Sequence, residues 1–363
     1  MYKEGLKKRL FQRYKCGDGH VFKLRNSNTL FDDSFIEYAV AVYLRSLSLN
    51  ATIGILRMYY EQDLLTKPTL LDFIEIVSDK LPSLDEIDYL YNPQRSGYIA
   101  FDGVWYKWKG LNFVLLVSFD PLTLDVVSYI VSEKESYESY RKLIEKVIPK
   151  FKETLVKGLY CDGDRGLIKA LNGYFPSIPI QVCVVHKEFR LGQILPFKRA
   201  YAGKTIDPGF RRKVVIFKET TEAIIYADTK LKSEENFLKL NNFMKKVKDE
   251  KLKKAFGSLR YNFKYILTHF DHPEMERDNN IIEGFNSIIK RRLKLLKGFK
   301  KPANIGRYIK LVLLDYRFHE LVESRFPERR KSTPLNLAKV DLPSYYNFIK
   351  LLRQTFNLSF SSS

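Results

Sequence analysis

The sequence predicts a mixed α/β chain: a sheet flanked by helices, with an all-α insertion and a helical region ahead of the sheet. Three observations predict it. Residues 98–132 hold three β-rich runs separated by short turns. Two more apolar runs then alternate with amphipathic helical patterns as far as His186. Residues 31–81 and 187–275 carry apolar side chains mainly at helical spacing. With 363 residues and 45% apolar content the chain can bury a sizeable core, which excludes wholesale disorder.

Taken in order, Asp32, Asp33 and Ser34 signal a helix start, and Phe35, Ala39, Val42 and Tyr43 continue it over 34–47. Further helices are expected over 51–60 and 68–81, the latter opened by Pro68. Three short helices suit a helix-turn-helix or an ordinary small bundle. PSLDEIDYLYNPQRSG reads as a linker ending near Gly97. YIAFDGVWYKW, FVLLVSFD and VVSYIVSE form an antiparallel meander. ESYESYRKLIEKVIPKF is a helix, LVKGLYCDGD a fourth strand, RGLIKALNGYF a helix and PIQVCVVH a fifth strand. The order β-β-β-α-β-α-β is that of a ribonuclease-H-like core. RRKVVIFKETTEAIIYA fits either helix or strand. RDNNIIEGFNSIIKRRLKLLKGF and NIGRYIKLVLLDYRFHELVES are strong helices, and the final SFSSS is expected to fray.

The charge points to a polyanion. Lys and Arg number 62 against 42 Asp and Glu, a net +20. Residues 287–310 carry Lys290, Arg291, Arg292, Lys294, Lys297, Lys300, Lys301, Arg307 and Lys310 with no acid, as a phosphate groove would require. No apolar run is long enough to span a bilayer, and the basic start has no apolar stretch behind it, so neither a membrane anchor nor a secretory signal is expected. Three cysteines make no disulfide framework, which fits a reducing cytosol. Phosphate loops of the Walker type and the Gly-x-Ser-x-Gly elbow are lacking, which argues against ATP-driven chemistry and serine hydrolysis.

Phosphodiester cleavage by two divalent ions needs acids distant in sequence and adjacent in the fold. Asp102 lies among apolar residues of the first strand; such a carboxylate needs a cation, unless Asp102-Gly103 is a turn. Asp162 ends the fourth strand, where crevice sites form, or else caps the next helix, a role that suits Asp164 better. Glu283 falls near the second turn of a basic helix capped by Asp278, either as a ligand or as a solvated charge. Cys183 and His186 are either packing residues or, with His269 and His272, a tetrahedral structural Zn²⁺ site.

FDGVWYKWKG, CDGDRGLIKALNGYFPSIPIQVCVVH and DNNIIEGFNSIIKRR resemble the three catalytic blocks of Mutator-like (MULE-type) insertion-sequence transposases, over residues 98–320. The resemblance implies a ribonuclease-H-like core, a catalytic DDE triad of Asp102, Asp162 and Glu283 holding Mg²⁺ or Mn²⁺, and a helical insertion at about 187–275. It further implies double-stranded DNA as partner, at transposon ends and target, gripped by Lys290, Arg291, Arg292, Lys294 and Lys297. A homodimer or larger synaptic complex follows from holding two ends, in a prokaryotic, nucleoid-associated cytoplasmic protein. RYKCGDGHVF is similar to the second half of a zinc ribbon, but Gly19 stands where a second cysteine belongs, so zinc at Cys16 is not expected. The expected organisation is a degenerate ribbon over 1–30, a helix-turn-helix-like domain over 31–95, a catalytic domain over 96–330 and a tail over 331–363.

The function so implied is cutting transposon ends and joining the freed 3′-OH to target DNA. The alternatives are a catalytically inactive or domesticated DNA-binding derivative, and a nuclease that cuts without joining. Terminal repeats, target preference, the fate of the second strand, the oligomeric state and whether this copy is still active are not legible in the sequence.

Overall fold

A computed structural model describes residues 2–3, 12–15, 21–24, 31–45, 47–60, 65–151, 155–202, 207–299, 301–322, 324 and 326–361. Over 1–30 it describes three short antiparallel strands, β1 (Tyr2–Lys3), β2 (Gln12–Lys15) and β3 (Val21–Leu24). Cys16 and Gly19, on which the ribbon expectation turns, lie outside the described residues. The chain forms two compact units. One joins Met1–Gln94 with Tyr106–Leu111 and Ile288–Ser363; the other joins Arg95–Trp105 with Asn112–Ser287.

The first unit is built on α1 (Asp33–Leu44), α2 (Leu49–Tyr60), α3 (Lys67–Lys80) and α4 (Leu84–Tyr91). Asp32 starts α1 by accepting from Phe35 N at 2.7 Å, and Pro68 sits in the first turn of α3. The α4 helix corrects the linker expected there. Ser83 N donates to Glu86 Oε2 at 2.7 Å and Glu86 N donates to Ser83 Oγ at 3.2 Å, a reciprocal cap, while Leu84 and Ile87 are buried. Late elements of the chain pack into the same unit. Arg317, on the helix Ala303–Arg317, is wholly buried and pairs with Asp88 at 2.6 Å; Arg307 pairs with Asp79 at 2.7 Å. The helix Phe348–Thr355 adds buried Phe348, Ile349 and Leu352.

The second unit holds most of a five-stranded mixed sheet, β4 (Tyr98–Trp108), β5 (Leu111–Asp120), β6 (Asp125–Ser132), β7 (Gly158–Cys161) and β8 (Ile180–Val182), in the order β6-β5-β4-β7-β8. Strands β5 and β6 are antiparallel; β7 runs parallel to both β4 and β8. Parallel neighbours need crossovers, supplied by α5 (Tyr137–Val147) and α6 (Arg165–Tyr174). Tyr140, Leu143, Ile144 and Val147 form the buried stripe of α5 and meet Ile99, Phe101, Leu159 and Leu171 in one core. Each such apolar side chain contributes about 1.5–3 kcal/mol by leaving water. Then follow α7 (Val184–Ile194), α8 (Phe197–Tyr201), α9 (Pro208–Ile225), α10 (Lys230–Met244), α11 (Glu250–Ile266), α12 (Thr268–Asp271) and α13 (Asn280–Leu293).

Two details differ from, or resolve, the sequence expectation. The fifth strand stops at Val182 rather than running through His186. Cys183 N donates to Cys161 O at 2.9 Å, and Val184 N, an N-terminal donor of α7, finds Arg277 O at 3.3 Å. Tertiary hydrogen bonds thus override the β preference of Val184-Val185. The ambiguous RRKVVIFKETTEAIIYA lies mostly in α9, started by Pro208 and capped by Asp207. Among the described residues no helix is long and apolar enough to cross a membrane.

Candidate active site

Strand register sets the first two acids side by side. The pairing of β4 with β7 runs as far as Ala100 opposite Tyr160, Asp102 and Asp162 each follow two residues later, and the Asp162 charge acts on Asp102. Past β7 the chain turns at Gly163, φ +85°, where a Cβ would come within 2.2 Å of Asn262 Nδ2. Asp164 then caps α6, accepting from Gly166 N at 2.8 Å and Leu167 N at 3.1 Å. The capping role therefore falls to Asp164, and Asp162 pairs with Arg190 while accepting from Asp164 N at 2.9 Å.

Asp102 is buried. Its Oδ1 accepts from Gly103 N at 2.7 Å and its Oδ2 from Asn286 Nδ2 at 2.6 Å. Burial pushes its pKa up to about 6, with the charges of Asp162 and Glu283 adding to the pull of burial and His186 opposing it. Glu283 lies three residues before Asn286 on α13, and its Oε1 meets His186 Nε2 at 2.7 Å. Burial works against the charge of His186, but the Cys183 thiol, Glu283 and Asp102 raise its pKa to about 11, so the imidazole is a cation. His186 and Arg190 are spaced i,i+4 on α7, so one helix face aims two cations at Glu283 and Asp162. Ligand atoms of Asp102, His186 and Glu283 lie within 4.8 Å of one another.

Two further groups border the site. Lys187 is buried, and burial together with Arg190 lowers its pKa to about 7. Its Nζ donates to Ser258 O at 2.7 Å and to Asn262 Oδ1 at 3.2 Å, and Asn262 in turn donates to Gly163 O at 3.0 Å, which braces the turn behind Asp162. Glu135 precedes α5 and accepts from Trp105 Nε1 at 2.8 Å; burial, then the Asp162 charge, push it up to about 7.

The remaining expected residues separate. Lys290, Arg291 and Lys294 are exposed, while the side chain of Lys297 lies outside the described residues. Arg292 is no surface phosphate contact: it is buried and pairs with Asp315 at 2.5 Å. The zinc quartet is not gathered. Cys183 is buried and accepts from Asn279 N at 3.4 Å, His269 Nδ1 contacts Ile266 O at 2.9 Å, and His272 lies 3.5 Å from Glu274. Of the four only His186 belongs to a metal-capable group among the described residues, and that group is the carboxylate one. Arg190, Glu135, Asn286 and Lys187 went unnoticed in the sequence. The i,i+4 spacing of His186 and Arg190 was the available signal, hidden by assigning a strand there.

The carboxylates of Asp102 and Glu283 suit a hard divalent ion, while the protonated His186 orients Glu283 and offers no lone pair. Asn286 Oδ1 is buried without a hydrogen-bond partner, on the amide that donates to Asp102. The chain matches the family model described as Transposase, Mutator family, over residues 123–321, which include Asp162 and Glu283 and begin beyond Asp102. It is 22% identical over 281 residues to the transposase for insertion sequence element IS256 in transposon Tn4001 from Staphylococcus aureus, and equally to that from Enterococcus faecalis. The alignment covers 73% of this chain and 66% of each relative, so the chain spans just under two thirds of their length. A chain of the simian T-cell lymphotropic virus intasome in complex with PP2A regulatory subunit B56 gamma aligns over 53% of this chain and 69% of its own, at 11% identity and a TM-score of 0.21, too loose to bear on the fold. With more than half its length matched by the family model, and with the matched region carrying two of the clustered acids, the chain belongs to the Mutator family of transposases.

Proposed function

We propose that this protein is a DNA transposase that cuts transposon ends and joins the freed 3′-OH to target DNA at a DDE site of Asp102, Asp162 and Glu283. The observation that carries the proposal is the convergence of Asp102, His186 and Glu283 within 4.8 Å, with Asp162 on the adjacent strand, in a member of this family. The strand order β6-β5-β4-β7-β8, with its antiparallel and parallel halves, supports a ribonuclease-H-like core.

Two divalent ions, Mg²⁺ or Mn²⁺, would supply Lewis-acid stabilisation of the attacking and leaving oxygens. Asp102, Asp162 and Glu283 would hold them. His186 keeps its proton at Nε2 against Glu283 Oε1 and fixes that carboxylate; Arg190 does the same for Asp162. Water attacks the scissile phosphate and the 3′-OH leaves; that hydroxyl then attacks a target phosphate, displacing its 3′ oxygen. Both steps build similar charge at phosphorus, so one site serves both. Lys290, Arg291 and Lys294, exposed on and just beyond α13, would contact the DNA backbone. Holding two ends calls for a homodimer or larger complex, working on the nucleoid of a prokaryotic cell.

The test is nicking of DNA bearing the element's own ends. Wild type should nick it with Mg²⁺, and Asp102→Asn, Asp162→Asn and Glu283→Gln should each lose about 10³-fold, about 4 kcal/mol of transition-state stabilisation. Nicking by Asp162→Asn within tenfold of wild type would overturn the triad.

A further inference from the structure

We propose that a groove lined by α7, α8, α9 and the start of α11 binds an unpaired nucleobase of DNA, stacked on Phe189, with its flanking phosphates on Lys198, Arg199 and Lys251. The inference rests on the DNA reading above and names a single-stranded form of that substrate. The groove has a volume of about 900 Å³, and Phe189, Phe197 and Phe210 are among its apolar walls. Phe197 is buried and Phe210 half-buried, while Phe189 is 65% exposed at the opening. The α7 helix connects this groove to the acids, since its His186 and Arg190 meet Glu283 and Asp162. At about 100° per residue, Phe189 lies about 60° round α7 from His186, on the shoulder between the acid-facing side and the groove. A strand that leaves the acids along α7 reaches Phe189 within one helical turn.

Charge selects the occupant. Lys198, Arg199, Lys218 and Lys251 line the groove against one acid, Glu188. Glu188 already accepts from Tyr226 Oη at 2.9 Å, and Lys218 pairs with Glu222. Lys198, Arg199 and Lys251 are exposed, and their side chains pair with no acid among the described residues. Apolar walls with a cationic rim suit a ligand that is flat and apolar in one part and anionic in another. An unpaired nucleotide is both: any base can stack on an aromatic ring, and its phosphates meet the rim. A duplex keeps its bases stacked inside and offers the groove only its backbone.

The test is binding by the full-length protein in chelator, where no metal takes part. Wild type should bind fluorescein-labelled oligo(dT), and an abasic strand of equal length about tenfold more weakly. Phe189→Leu keeps apolar volume and loses the aromatic face. It should bind oligo(dT) about tenfold more weakly than wild type, yet match wild type within about twofold on the abasic strand and on a blunt duplex. Phe189→Trp should bind oligo(dT) as wild type does, with an added indole emission that the strand quenches. Lys198→Gln with Arg199→Gln removes two phosphate contacts and should flatten the fall of log affinity with log salt by about 1.4. If Phe189→Leu binds oligo(dT) within about twofold of wild type, or the abasic strand binds as tightly as oligo(dT), this inference fails and the DDE site, tested by nicking, stands. If wild type binds neither strand nor duplex, both fall. If a glutamate–tyrosine copolymer binds wild type more tightly than oligo(dT) and loses that binding in Phe189→Leu, the groove takes an acidic protein and the inference is overturned.

Discussion

Asp102 and Asp120 are both buried acids of the sheet, one at the site and one at the β5–β6 corner, yet their surroundings are opposites. Asp120 is wholly buried and accepts from Ser96 N and Ser96 Oγ at 2.7 Å each, Leu122 N at 3.0 Å and Thr123 N at 3.2 Å. Its neighbour Asp125 is paired with buried Arg95. Asp102 accepts from two donors, and two of the three charges acting on it are acids. A carboxylate with a full set of donors holds structure together; one short of donors and ringed by acids is held ready for an added cation. The difference yields a rule for this fold: count donors before assigning a buried acid to function.

The same substitution should act in opposite directions at the two places. Asp120→Asn points an NH₂ group at donors it cannot accept from, and should lower stability by about 3 kcal/mol in urea unfolding. A loss under about 1 kcal/mol would break the comparison. Asp102→Asn, measured in chelator, should instead raise stability by about 2 kcal/mol, because a charge disfavoured by burial disappears. Its new NH₂ need not go unpaired: the Asn286 amide can turn and offer the unpartnered Oδ1. Destabilisation by this variant would show that Asp102 is a structural acid like Asp120.

Donor counts are invisible in sequence, and that limits what could be read there. The succession β4 to β8 with α5 and α6 between was legible because each element carries its own period: Tyr140, Leu143, Ile144 and Val147 at helical spacing, or unbroken β-branched and aromatic runs as in FVLLVSFD. The α4 helix was missed although Ser83 and Glu86 spell a capping box, because its prolines and short length looked like a linker. The expected zinc role of His186 arises because Val184 and Val185 disguise a helix as a strand, while distant Arg277 O accepts from the N–H of Val184 at that helix's start. Arg292 looked like a phosphate ligand among other cations; its partner Asp315 lies on a different helix. Nothing in the sequence around Glu135 distinguishes it from the exposed acids nearby. Contacts between distant segments decide each of these cases, and no local pattern encodes them.

The last prediction sharpens the comparison through pH. The carboxyl of Asp102 moves from 3.8 to about 6 on folding, through burial first. Between those values the folded protein keeps a proton that the unfolded chain has released. The stability this group contributes is therefore complete below pH 3.8, falls as pH rises through the window and is gone above about 6. Asp102→Asn has no such proton to lose. Its advantage over wild type should be full at pH 7.5, about half gone one unit below the folded pKa and absent near the unfolded one. In wild type His186 is held charged across this range, with Glu283 and the Cys183 thiol raising its pKa alongside Asp102. Paired urea unfolding curves in chelator, stepped from neutral to acid, read the difference due to Asp102 and the groups coupled to it. An advantage that stays constant across that range would mean that the gain comes from repacking or from the Asn286 hydrogen bond, and the contrast with Asp120 would then be one of donors alone, with no charge held against burial.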